Sequence, residues 1–169
     1  RPNWRSLAFA ACAGFSISFF LSKIFTVKNV PLAKAAFDVL NREDAELIIA
    51  KNIPPEEMWL YYNAADIVLV TSFHEGSPNV VKEAMACNTP IISVDVGDVL
   101  ERFQSSTYGN SIVPYDPNEI AEQIEQYLQS EKRSDGRKVV YEISEDKIIE
   151  KSILFFESVV GPHNSTPSS

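Results

Sequence analysis

The residues best suited to chemistry lie in one segment, residues 71–84, which reads TSFHEGSPNVVKEA. Gly76 and Ser77 allow a backbone to approach a ligand closely. A helix predicted to begin just after Pro78 would direct its free N–H groups to the same place, as helix N-termini do when they bind phosphate. Glu75 before the helix and Glu83 about one turn inside it are good acceptors for sugar hydroxyls. Together these residues predict a ligand with both phosphate and hydroxyl groups, namely a nucleotide sugar.

Strands and helices predicted from the apolar pattern must position this segment. Short runs that are apolar throughout predict buried strands, and they cover residues 46–50, 66–71, 90–94 and 111–113. Apolar residues at helical spacing, with proline at several helix starts, predict helices over residues 31–40, 54–62, 80–87, 99–103, 117–129 and 144–160. Because apolar strands alternate with helices, the predicted fold class is α/β, a Rossmann-like, doubly wound parallel sheet with helices on both faces.

Ligands of such a sheet bind beyond the carboxyl ends of the strands. The loops predicted at that edge are residues 22–28, 51–54, 72–79 and 95–98. Asp95 and Asp98 in the last loop do not have D-x-D spacing, and no His/Asp/Glu cluster has ligand spacing, so no metal is predicted. The G-x-G-x-x-G and P-loop motifs are also absent from the sequence, which counts against dinucleotide and P-loop binding.

Composition limits the class of protein further. The chain has 169 residues, of which 45% are hydrophobic and 22% charged, values typical of a single globular domain. Its net charge of −8 argues against binding to a DNA or RNA polymer, which needs clustered lysine and arginine. The only cysteines, Cys12 and Cys87, are expected to be reduced thiols. We therefore expect a cytoplasmic protein, with a peripheral position at the inner face of a membrane left open.

The N-terminal part of the chain allows two interpretations. Residues 7–21 form the most apolar run, and Arg1 and Arg5 precede it. Buried strand structure explains the run, while a signal or anchor segment is the open alternative. The predicted organisation is an apolar segment over residues 1–17, a Rossmann-like domain over residues 18–160 and a disordered tail over residues 161–169. Because position 1 is arginine, we expect the chain to be part of a longer protein.

Seven residues separate Glu75 from Glu83 in the text EGSPNVVKEAMACNTPIIS. This text resembles the E-x7-E signature of retaining glycosyltransferases of family 4, which have the two-domain B-type (GT-B) fold. Residues 58–72 and 111–129 are similar to the family sequence on either side of the signature. The resemblance extends over about residues 18–160 and implies the C-terminal, donor-binding domain of such an enzyme.

The resemblance also implies roles for individual residues. Glu75 matches the first acid, which contacts the donor sugar and has been discussed as a catalytic group, and Glu83 matches the acid that holds the ribose hydroxyls. The loop whose amides meet the diphosphate and sugar corresponds to Gly76, Ser77, Pro78, Asn79 and Val80. Lys28 matches the phosphate-binding lysine of a G-R-x4-K-G pattern. Ser22 and Lys23 replace its opening Gly-Arg pair, and Lys23 keeps the positive charge.

The implied activity is retaining hexosyl transfer from a nucleoside-diphosphate sugar, without a metal or other cofactor. The acceptor is left open between a sugar, a lipid and a protein. Because the acceptor side of the cleft belongs to an N-terminal domain in this family, we expect these 169 residues alone to be inactive. The alternative is a non-catalytic nucleotide- or sugar-binding module, a degenerate relative. Without the similar sequence on either side, Glu75 and Glu83 would be interpreted as ordinary solvent-exposed acids.

Overall fold

The computed structural model describes residues 22–26, 28–106, 108–130 and 132–160, and its centre is a sheet of five parallel strands. The strands are β1 (Ser22–Thr26), β2 (Ala45–Ile49), β3 (Ile67–Val70), β4 (Ile91–Val94) and β5 (Asn110–Val113). They lie in the order β2-β1-β3-β4-β5. Each strand runs parallel to its neighbours, and this confirms the predicted parallel α/β fold class.

Helices occupy the connections between the strands, where parallel pairing requires crossovers. They are α1 (Val30–Leu40), a 3-10 turn (Pro55–Glu57) followed by α2 (Met58–Ala64), α3 (Asn79–Ala86), α4 (Val99–Gln104), α5 (Pro117–Ser130), α6 (Gly136–Tyr141) and α7 (Glu145–Val160). Proline lies in the first turn of α1, where its missing N–H costs nothing. Asn41 ends α1 in the left-handed conformation, with a φ of 46°.

The sheet has an apolar core on each face, as a doubly wound fold requires. Val68 and Val70 of β3 pack with residues of α2, α3 and α4 on one face. Ile67 and Leu69, which alternate with them, pack with α1 and α5 on the other face. Successive side chains of a strand point to opposite faces, so a strand covered on both sides must be apolar at every position. For this reason polar and apolar residues do not alternate along the predicted strands.

Removing a single methylene group from this core should lower the stability of the protein. Ile92 of β4 is 1% exposed, whereas Ile149 of α7 is 50% exposed. We expect Ile92→Val to lower the free energy of unfolding by about 0.5–1.5 kcal/mol, because the neighbours cannot fully close the void. The matched change Ile149→Val should cost less than about 0.5 kcal/mol. Urea denaturation of both variants measures the difference, and equal losses would contradict the assignment of Ile92 to the core.

Three expectations need correction or addition. Residues 22–28 were predicted as a loop, but Ser22–Thr26 form β1, paired with β2 and β3. Helix α6, Gly136–Tyr141, was not predicted at all, because its six residues are too few to show a helical period. Helix α7 confirms the predicted helix over residues 144–160, and the structure adds that its apolar residues are exposed. These are Ile148, Ile149, Ile153, Leu154, Phe155, Phe156 and Val159.

The apolar run at residues 7–21 and the tail at residues 161–169 lie outside the described residues. Their predicted strand, anchor and disorder therefore stay predictions, as do the domain boundaries that depend on them. Within the described residues, the helices are too short or too polar to cross a membrane.

Candidate active site

The candidate site lies where the strand order reverses. β1 has β2 on one side and β3 on the other, so the connections leaving β1 and β3 depart to opposite faces of the sheet. Such a switch point opens a crevice at the carboxyl edge, where doubly wound folds bind their ligands. Lys28 follows β1 and the 72–79 loop follows β3. The topology therefore brings together two segments that the sequence predicted separately.

Hydrogen bonds join the loops that follow the strands at this edge of the sheet. The Thr71 hydroxyl, at the end of β3, donates to the Lys28 carbonyl oxygen over 2.5 Å. The Tyr115 hydroxyl, after β5, donates to the Ser72 carbonyl oxygen over 2.6 Å. The Tyr115 ring also stacks on Phe73, with ring centroids 5.8 Å apart and planes 5° from parallel. The three loops that follow β1, β3 and β5 are thus joined by side chains from two of them.

Lys28 and Glu75 form an ion pair across the crevice. The Lys28 Nζ atom lies 2.6 Å from Glu75 Oε1, and the two side chains are 59% and 14% exposed. The hydrogen bond from Lys28 lowers the pKa of Glu75 from its ordinary value, and a hydrogen bond from Ser72 adds to this against the opposing effect of burial. Glu75 is therefore held as a carboxylate. The ammonium group has three N–H donors, so it can bind an anion while it stays near Glu75.

The pair predicts a pH dependence of stability. Because the pKa of Glu75 is lower when folded than its ordinary value of 4.5, the carboxylate stabilises the fold above that pH, and the contribution is lost as the pH falls through the folded pKa. We expect Glu75→Gln to be less stable than the wild type at pH 7. The gap should close as the pH falls below about 4. Unfolding curves from pH 7 to pH 3 measure this, and a gap independent of pH would contradict it.

The 72–79 loop leads directly into α3. Asn79 and Val80 are the first two residues of the helix, and Pro78 lies at the N-cap. Among the described residues, no side chain caps this N-terminus with a hydrogen bond. Its amides carry the positive end of the helix dipole, which favours an anion. The predicted residues Gly76, Ser77, Pro78, Asn79 and Val80 are therefore contiguous with the Lys28–Glu75 pair through one short loop.

Glu83 has a partner that sequence analysis missed. It is exposed on α3, and the hydroxyl of Tyr62 from α2 donates to its Oε2 atom over 2.9 Å. Tyr62 is only 1% exposed, and burial, followed by the bond to Glu83, raises its pKa. A buried phenol thus fixes one carboxylate oxygen of an exposed acid. In the sequence Tyr62 only contributes to the apolar side of a helix, so no local signal distinguished it.

The loop between β4 and α4, residues 95–98, lies against the 72–79 loop. Gly97 has a φ of +57°, and a Cβ atom there would lie 2.2 Å from the Gly76 carbonyl oxygen. The Asp98 amide donates to the same carbonyl oxygen over 3.1 Å. Sequence analysis considered Asp98 only as a metal ligand. Among the residues that the structure describes, no group of three or more His, Cys, Asp and Glu side chains could hold a metal ion.

Lys23 is the one predicted site residue whose backbone lies within a strand. It is the second residue of β1 and pairs with Glu46 of β2. At about 3.3 Å per residue, its backbone lies about 10 Å before the carboxyl end of the strand. Residues 22–28 were expected to be the loop that follows the apolar run at residues 7–21, but residues 22–26 pair as a strand. Lys28, beyond the strand end, is thus the lysine that the fold places at the crevice.

The family model described as "Glycosyl transferases group 1" matches residues 45–142, more than half of the chain. The chain belongs to this family. The match begins at β2 and ends just after α6, so it includes the 72–79 loop, Tyr62, Glu83 and the 95–98 loop. Lys28 and β1 lie before it.

The chain is also similar to two individual glycosyltransferases in sequence and to one solved synthase structure in fold. A D-inositol 3-phosphate glycosyltransferase from Thermobispora bispora is 26% identical over 128 residues, which are 76% of this chain and 28% of that protein. One from Corynebacterium jeikeium is 36% identical over 69 residues, 41% of this chain and 16% of that protein. The sucrose-phosphate synthase structure from Thermosynechococcus elongatus has a TM-score of 0.69 and 20% identity; the match covers 90% of this chain and 48% of that one. The chain therefore spans less than a third of these curated relatives and about half of the solved structure.

Proposed function

We propose that this chain is the donor-binding half of a retaining glycosyltransferase of the family 4 type, which takes its sugar from a nucleoside diphosphate. The observation that carries the proposal is the Lys28–Glu75 pair at the strand-order reversal, joined through the 72–79 loop to the N-terminus of α3. A cation and a helix N-terminus suit the diphosphate, and a carboxylate between them suits a sugar hydroxyl. Membership of the glycosyl transferases group 1 family supports the same assignment.

Each part of the donor has a partner in this proposal. The diphosphate would contact Lys28 and the amides of residues 76–80. The sugar would lie beside Glu75, whose charged form accepts hydroxyl hydrogen bonds. The ribose hydroxyls would bind Glu83, whose orientation Tyr62 fixes. These contacts bind phosphate oxygens and hydroxyl groups that many donors share, and none of them contacts the base. The identities of the base and of the sugar therefore stay open.

The chemistry needs stabilisation of the leaving group. In the transfer, the bond from the anomeric carbon to the diphosphate oxygen breaks, and its electron pair stays on the diphosphate. A bond to the acceptor oxygen forms on the same face of the sugar, and the proton of the acceptor hydroxyl passes to the leaving diphosphate. Negative charge then grows on the diphosphate. Lys28 and the dipole of α3 are already aimed at that charge, and preorganised donors of this kind lower the barrier. They would supply the positive charge that a metal ion provides elsewhere, in keeping with the metal-independent mechanism predicted from the sequence.

Donor binding by these residues does not by itself provide an acceptor site. The crevice is open beside Lys28, which is 59% exposed, and an open site admits water that would compete as acceptor. The chain covers 48% of the related synthase structure, and we propose that another part of the full protein supplies the acceptor wall. The isolated chain should therefore bind donor but not transfer sugar to an acceptor at a useful rate.

Calorimetric titration of the chain with UDP-, GDP- and ADP-sugars tests the proposal. We expect one nucleotide series to bind, and Glu83→Ala to weaken that binding at least tenfold because two ribose hydroxyl contacts are lost. Glu122→Ala is the matched control, because Glu122 is an exposed helical acid on α5. Thermal unfolding of each variant checks that it is folded. A wild type that binds no nucleotide, or a Glu83→Ala variant that binds equally well, would overturn the proposal.

An activity assay separates catalysis from simple binding. The non-catalytic alternative predicts the same nucleotide binding but no transfer by the full-length protein. Our proposal predicts transfer, with a product that keeps the anomeric configuration of the donor. The configuration can be read by NMR of the product, and an inverted product would exclude the retaining mechanism.

A further inference from the structure

We propose that Arg102 is a positioning residue for the donor site: paired with Asp98, it holds Ser77 and the 72–79 loop in the binding conformation and neutralises the Asp98 charge beside the diphosphate. This inference rests on the proposed function. It concerns a residue of α4 that contacts neither Lys28, Glu75 nor Glu83 in the hydrogen bonds and ion pairs described above.

The first observation is that the Ser77 hydroxyl already forms two hydrogen bonds within the protein. It donates to Asp98 Oδ2 over 2.7 Å. It accepts a hydrogen bond from Arg102 Nη2 over 3.2 Å. The same guanidinium nitrogen forms an ion pair with Asp98 Oδ2, one turn earlier on α4. Ser77 was predicted to belong to the loop whose amides meet the donor. Its hydroxyl joins this loop to the start of α4, and this leaves the backbone of the loop for the donor.

The second observation is that the backbones of the two loops are also joined. The Asp98 amide donates to the Gly76 carbonyl oxygen, and Gly97 approaches that oxygen so closely that a Cβ atom would not fit. The 72–79 loop is therefore attached to the start of α4 by one backbone bond and by the Ser77–Asp98–Arg102 cluster. A loop held at two points presents its amides in one arrangement, which reduces the entropy lost when a ligand binds.

The third observation concerns charge. Burial opposes ionisation of Asp98, but hydrogen bonds from Arg102 and Ser77 outweigh it and lower its pKa. A carboxylate is thus held beside a loop that must accept a diphosphate. An unpaired carboxylate there would repel the diphosphate, and the repulsion would increase with the number of phosphates. The side chains of Arg102 and Asp98 are only 18% and 25% exposed, so water would screen the repulsion weakly.

The test compares nucleotides that differ by one phosphate. The probes are UDP, GDP and ADP with their monophosphates, and the pair that wild type binds best is used. We expect Arg102→Gln to weaken diphosphate binding about tenfold and monophosphate binding less than about threefold. Arg102→Lys, which keeps the charge, should recover most of the diphosphate affinity. Lys138→Gln is the control, because Lys138 lines the same surface cavity of about 430 Å³ as Arg102.

The outcomes are separable. If Arg102→Gln weakens both nucleotides equally, or weakens neither, Arg102 is not a positioning residue and this inference is wrong, while binding that depends on Glu83 would still support the proposed function. If the wild type binds none of the probes, the proposed function fails and this inference fails with it. If Arg102→Gln does not fold, Arg102→Met takes its place: a selective loss of diphosphate affinity supports the role, and an equal loss for both nucleotides or no loss overturns it.

Discussion

Replacing Lys28 with alanine is expected to weaken binding of the preferred nucleoside-diphosphate sugar by about 10- to 100-fold. A hydrogen bond to a charged group contributes about 1.5–3 kcal/mol, and about 1.4 kcal/mol corresponds to a tenfold change in Kd. Lys28 is the lysine that follows β1 at the crevice; its side chain is 59% exposed, and its ammonium group forms an ion pair with Glu75. The substitution removes the cation and leaves a carboxylate where the donor phosphates should bind.

Calorimetric titration at two salt concentrations measures this effect. The loss should be larger at low salt, because screening weakens the attraction between Lys28 and the phosphates in the wild type. Lys34→Ala is the control, because Lys34 is exposed on α1 and has no place at the crevice. If Lys28→Ala bound the donor as tightly as Lys34→Ala does, the diphosphate would not lie at the end of β1 and the proposed donor site would be misplaced.

The second large effect is expected from Gly97→Ala. Its φ of +57° disfavours any side chain, and the added Cβ atom would lie 2.2 Å from the Gly76 carbonyl oxygen. The left-handed conformation costs about 1–2 kcal/mol and the overlap about 1–3 kcal/mol. We expect the free energy of unfolding to fall by about 3 kcal/mol. Donor affinity should fall as well, since the 72–79 loop must shift to relieve the contact.

The chain contains a matched control for this substitution. Gly76 has nothing within 4 Å of an added Cβ atom and does not have a positive φ. Gly76→Ala should therefore change stability by less than about 0.5 kcal/mol, the range of substitutions that disturb no contact. Urea denaturation of both variants makes the comparison. Equal stability of the two variants would mean that the 95–98 and 72–79 loops are not in contact as described.

The sequence predicted most of the elements because their signals are local. The strands β3 and β4 agree with the predicted apolar runs to within one residue at each end, and α5 ends one residue beyond its prediction. The failures also have local causes. Residues 22–28 were predicted as the loop after the apolar run at residues 7–21, whereas residues 22–26 form β1. Helix α6 is too short for a helical period to show. The exposed apolar side of α7 could not be predicted, because periodicity shows that a helix has an apolar side but not whether anything covers it.

The sequence by itself determined the fold class, the 72–79 loop and the acids Glu75 and Glu83, since strand patterns, glycine, helix starts and motif spacing are read along the chain. Only the tertiary structure decided which residues act together. Lys28 meets Glu75 across 47 positions, and Tyr62 meets Glu83 and Ser77 meets Asp98 across 21 each. It also placed the backbone of Lys23 within β1, three residues before the end of that strand. These pairings depend on strand order and register, which non-local packing sets and no local pattern encodes.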